Sequence, residues 1–133
     1  MPPVGMTPRD AADLFVAFQS EMNTYWNVFI LVALGVVGYV VGQKSPPARR
    51  MRALFVVAFG VFAIGNLYAV LGQHAVMLEL WGRLRDPAFA GALAPAFEKL
   101  GLSPPWRVAL YHILLDVTVV VALWVRVPSK SGA

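Results

Sequence analysis

The residue with the most chemical potential is Asp116, an acid inside a long apolar run. If that run crosses a bilayer, Asp116 lies near its middle, where a charge costs roughly 2.5–3.5 kcal/mol on insertion scales. His112 precedes it by one helical turn, so a single helix face carries both groups. Two other apolar runs carry polar residues at matching depth: Asn66 in one, and Asn23 and Asn27 near the end of the other. Gln73 and His74 follow Asn66 toward the same side. An acid, an imidazole and amides gathered in apolar surroundings can bind a small ligand, pass a proton or tie helices together. The expectation is a polar pocket formed by Asn27, Asn66, His112 and Asp116. Its outer mouth would be formed by Asn23, Gln73 and His74. The plainer reading of the same residues is hydrogen bonding between helices, with Asp116 bonded to Asn66 or Thr118.

Those residues need helices to hold them. Of the 133 residues, 59% are hydrophobic and 14% charged, against about 25% charged in soluble domains. The apolar residues come in blocks, which a chain this small has too little interior to bury. Thr7-Pro8 signals a helix start, and Asp10 suits its first turn. The first helix is expected over about 8–42, with an amphipathic lead-in before the apolar run. A loop at about 43–52 follows, then a second helix at about 48–84 that Gly72 is placed to kink. A short helix at about 87–100 opens on Asp86-Pro87, with Pro95 placed to kink or split it. A last helix runs over about 104–126, and residues 127–133 form a polar, disordered tail. The fold class expected is all-α: one integral membrane domain, a three-helix bundle with long outer-side extensions and a short outer helix. No repeat and no strand pattern is evident. The acidic segment around Asp10, Asp13 and Glu21 does not resemble a secretory signal.

Lys44, Arg49, Arg50 and Arg52 crowd the first loop and act as the orientation signal. Arg126 and Lys130 add to that side, whereas Arg9, Arg83, Arg85, Lys99 and Arg107 are spread over longer segments. The positive-inside rule then places the N-terminus outside and the C-terminus in the cytoplasm. The expected location is a bacterial-type inner membrane. Aromatic residues mark the span ends, with Tyr25, Trp26, Tyr68, Trp106 and Tyr111 outside and Tyr39 and Trp124 inside.

Gly35, Gly38 and Gly42 share one helix face with Leu31. Packing against the second or third helix is the plainer expectation for them, and a dimer seam is the other. Helix two offers Ala58, Gly60, Ala63, Gly65 and Ala69 with the same two readings. The outer extensions have apolar faces that could form a cap, lie on lipid or dock on a partner.

Several function classes lack support. The net charge of +4 sits at the flanks of apolar runs, which argues against nucleic acid as a partner. The chain has no cysteine, so thiol and disulfide chemistry are absent. No catalytic motif or phosphate loop occurs, and two histidines with one aspartate are a weak zinc set. No cofactor is expected. A haem held by His74 and His112, or a quinone anchor, is the alternative, although His74 looks too far out. The expectation is a non-enzymatic accessory, assembly or partner-binding membrane protein. Its partners would be the lipid bilayer and either a homo-oligomer or another membrane protein. The alternative is a proton- or ion-linked pathway, or a small-ligand pocket, centred on His112 and Asp116 in the outer half.

Overall fold

The computed structural model describes residues 5–43 and 47–124. All regular structure among them is helical: α1 Pro8–Gly42, α2 Arg49–Leu84, α3 Pro87–Ala90, α4 Ala94–Lys99 and α5 Pro105–Trp124. The expectations for Lys44, the Ser45-Pro46 part of the loop, the last residues of helix three and the tail lie outside the described residues.

Helices α1, α2 and α5 are each long and apolar enough to cross a membrane, as in a multi-pass membrane protein. Their lengths differ in a way that shapes the molecule. Helix α5 has 20 residues, about 30 Å at 1.5 Å per residue, which matches a hydrocarbon core. Helices α1 and α2 have 35 and 36 residues, more than 50 Å each. They exceed the need of a span by about 20 Å.

The excess length forms a cap. Ala11 and Phe15 of α1 pack on Met77, Leu80 and Leu84 of α2, with Phe18, Trp81, Phe89 and Phe97 around them. Phe15 meets Phe97 edge to face, with ring centroids 5.5 Å apart. The Trp81 indole donates to the Phe97 carbonyl at 2.9 Å and ties α4 to α2. Of the three fates open to the apolar faces of these extensions, the structure has them covering one another. A second core lies farther along the bundle, where Phe29, Phe59, Ala63, Val119 and Leu123 join α1, α2 and α5. Helix α2 contributes to both cores and is the central element.

The segment after α2 departs from a single short helix. Asp86 caps α3 by accepting from the Ala88 amide. The chain then breaks at Gly91, whose φ of +53° suits glycine. A 3-10 turn over Gly91–Leu93 follows, and α4 restarts with a proline in its first turn. The split therefore comes from Gly91, while Pro95 sits where proline is tolerated. Gly72 lies inside one uninterrupted helical assignment.

Helix α1 begins with a full capping box. The Thr7 hydroxyl donates to Asp10 Oδ2 at 2.6 Å, and the Thr7 amide reaches the same oxygen at 3.0 Å. The Asp10 amide returns a bond to Thr7 Oγ1 at 3.2 Å. The Thr7 hydroxyl first, and its amide second, hold the Asp10 carboxyl below its ordinary value of 3.8. A depressed folded value means the carboxylate stabilises this turn above that ordinary value. The contribution declines as pH falls below it and is gone past the lower folded value. Amide NMR of the solubilised protein should therefore show residues 9–12 fraying first on acidification. Thr7→Ala should remove that pH dependence. A wild-type first turn whose pH dependence matches that of Thr7→Ala would contradict the capping box.

Candidate functional site

The polar cluster forms where the two cores meet. Asn66 projects from α2, and His112 and Asp116 project from α5. Asn66 Nδ2 lies 3.0 Å from His112 Nε2, and His112 Nδ1 lies 3.0 Å from Asp116 Oδ2. An amide nitrogen can only donate, so Nε2 accepts. Nδ1 then carries the ring proton and donates to the carboxylate. The imidazole is thus held in one tautomer between a donor and an acceptor. His112 is fully buried. Phe29 lies 4.4 Å from its ring and Trp26 5.4 Å, centroid to centroid. The second carboxyl oxygen, Asp116 Oδ1, is buried and has no hydrogen-bond partner among the described residues.

A second polar level lies nearer the cap. His74, 2% exposed, approaches the Ser103 carbonyl with Nε2 at 2.7 Å. A carbonyl only accepts, so Nε2 is the protonated nitrogen. In the neutral ring Nδ1 is a buried lone pair without a donor among the described residues. Gln73 donates to Glu21 at 2.7 Å and joins α2 to α1.

The expected site is therefore brought together in part. Asn66, His112 and Asp116 are bonded in a line, and Gln73 and His74 form a separate level nearer the cap. Asn23 and Asn27 are exposed and make no side-chain bond to this cluster. Helix α1 reaches the cluster with Trp26 and Phe29 instead, one and two positions from Asn27. Asp116 does not touch Asn66 directly, because His112 stands between them. Thr118 bonds its own helix, donating to the Leu114 carbonyl at 2.8 Å. Glu21, Trp26, Phe29 and Ser103 are the residues sequence reasoning passed over. The helical spacing of Met22, Trp26 and Phe29 was the available signal, masked by the attraction of the nearby asparagines.

The haem alternative needs a free ring nitrogen on both histidines, and His112 has both engaged. No group of three metal-ligating side chains occurs among the described residues.

The glycine face has the opposite character to the cluster. Gly35, Gly38 and Gly42 are exposed, and a Cβ built on any of them would meet nothing within 4 Å. They do not bring α1 close to α2 or α5, so the plainer expectation of internal packing does not hold. Leu31 and Leu34 beside them are 69% and 65% exposed. Asn23 and Asn27 continue the same face.

A cleft of ≈ 420 Å³ opens beside the polar levels, with Trp26, His74, Arg107, Val108 and Leu115 in its wall. No protein-family model matches the chain, and no curated protein or solved structure matches it either.

Proposed function

We propose that this is a non-enzymatic, multi-pass membrane protein that works by associating with another transmembrane helix through α1. The observation that carries the reading is the unpartnered face of Asn23, Asn27, Gly35, Gly38 and Gly42. Small residues let helix backbones approach closely in lipid, and amides facing hydrocarbon gain from a partner that bonds them. The α1 face offers both, and no other described residue uses either.

The proposed topology is a three-span bundle with the N-terminus outside and the cap on the outer face of a bacterial-type inner membrane. Support comes from the start of α2. Arg49 and Arg50 open that helix, no acid lies in its first turn, and no side chain caps it. Cations at the positive end of a helix dipole are unfavourable. Retention on the cytoplasmic side accounts for their placement. A proton-linked role has less support. Beyond Asp116 the described parts of α1, α2 and α5 contain no His, Asp, Glu, Lys or Arg until the basic loop. A route across the membrane would then need several copies of the chain.

The absence of cysteine makes the test direct. Gly38→Cys in native membranes should crosslink to a second copy or to another protein. Val57→Cys and Val121→Cys, exposed on α2 and α5, should not. Gly38→Leu should weaken the association about tenfold. Equal crosslinking at all three positions, with a stable lone monomer in mild detergent, would refute the reading.

A further inference from the structure

The geometry points to the cleft beside His74 and Arg107 as a binding site for an anionic phospholipid whose headgroup carries a hydroxyl. The inference stands apart from the helix-partner reading, because the cleft uses Met22 and Trp26 of α1 and not the glycine face.

Three features define the ligand. The first is charge. Arg107 makes no ion pair among the described residues, and its guanidinium stacks over Trp106 at 5.2 Å. A stacked guanidinium keeps its donors free at the edge, in the planar fork that suits a phosphate. No acidic side chain lines the cleft.

The second is hydrogen bonding. His74 is a wall residue and is almost fully buried. Its Nε2–H is committed to Ser103, and in the neutral ring Nδ1 is a lone pair without a donor among the described residues. A hydroxyl supplies the missing donor, whereas an ester or a quaternary ammonium cannot. Water would serve too, but the surroundings are apolar.

The third is the floor. Trp26, Leu102, Val108 and Leu115 make it apolar, and Leu115 and Tyr111 are exposed on α5. An acyl chain can therefore run from the cleft along the bundle. A volume of ≈ 420 Å³ holds a headgroup and the start of a chain, not a whole lipid. A soluble anion would leave the apolar floor uncovered. An uncharged lipid would leave Arg107 unmatched.

The test uses the full chain in mild detergent and native mass spectrometry with lipids of identical acyl chains. Phosphatidylglycerol should be retained about tenfold better than phosphatidylcholine, from the charge. It should exceed phosphatidylmethanol, equally anionic but without a hydroxyl, by about threefold. Arg107→Gln should erase the first preference, and Arg107→Lys should keep part of it. His74→Phe keeps the ring and removes the Nδ1 lone pair together with the bond to Ser103, so it should erase only the second preference. Arg107 is exposed, and its variants should keep the wild-type melting temperature. Wild-type protein that does not prefer phosphatidylglycerol over phosphatidylcholine would overturn the assignment. So would an unchanged preference in Arg107→Gln, or displacement of the lipid by millimolar glycerol phosphate, which would mark a site for soluble anions.

Discussion

Truncating His112 to alanine should lower the stability of the bundle by about 3 kcal/mol, in the middle of the range for large-to-small changes at packed positions. Three losses combine. The ring is fully buried against Phe29 and Trp26, so its removal opens a cavity. Asn66 loses its acceptor, and Asp116 loses its donor. Hydrogen bonds within membranes average only about 0.6 kcal/mol each. The cavity and the two stranded polar groups therefore set the size of the effect. Asp116→Asn makes the contrast. Its amide oxygen can still accept from His112 Nδ1–H, and the expected loss is under about 1 kcal/mol. Reversible unfolding in mixed micelles, followed by circular dichroism, measures both variants. Equal losses for the two, or a negligible loss for His112→Ala, would show that the imidazole is not the joint between α2 and α5.

The second large effect compares one truncation in two solvents. Phe15→Ala in the cap should cost about 3 kcal/mol, since the side chain is withdrawn from water and its loss leaves a cavity. Phe15 is 3% exposed and Phe29 is 1% exposed, so burial does not distinguish them. Phe29→Ala should nevertheless cost about half as much. In the bilayer, lipid chains solvate a phenyl ring nearly as well as the bundle does, and only packing is lost. The same unfolding measurement in bilayers or bicelles separates the two. Comparable losses would place both residues in the same solvent and remove the aqueous cap.

Local signals made the helix ends legible. Thr7-Pro8 and Asp86-Pro87 marked starts that the structure places at Pro8 and Pro87. Ser103-Pro104 marked one that the structure places at Pro105. These motifs depend on neighbours in the chain, and so can be read without the fold. The break at Gly91 was missed because proline is the louder signal, yet Pro95 lands in a first turn where it does no harm. The polar cluster was legible on α5, where His112 and Asp116 share a face by spacing alone. It was legible on α2 through the rarity of Asn66. Helix α1 is not legible by residue type, since Asn23 and Asn27 suit a polar pocket yet face away from it. Which side of a helix faces inward depends on packing. Phe29, wedged between Phe59, Phe62 and His112, decides that for α1. The outward turn of Gly35 and Gly38 follows from the same rotation and could not be read from their spacing.

The bond between Asn66 and His112 also bears on how the chain is made. Synthesis runs from the N-terminus, so α1 and α2 emerge before α5. Helix α5 alone must bring a carboxyl group and an imidazole into hydrocarbon, a step that opposes partitioning from the translocation channel. By then the hairpin of α1 and α2 can present the Asn66 amide and the aromatic wall of Trp26 and Phe29. The hairpin thus serves its own third helix as a built-in receptor, and late insertion of α5 becomes a docking event within one polypeptide.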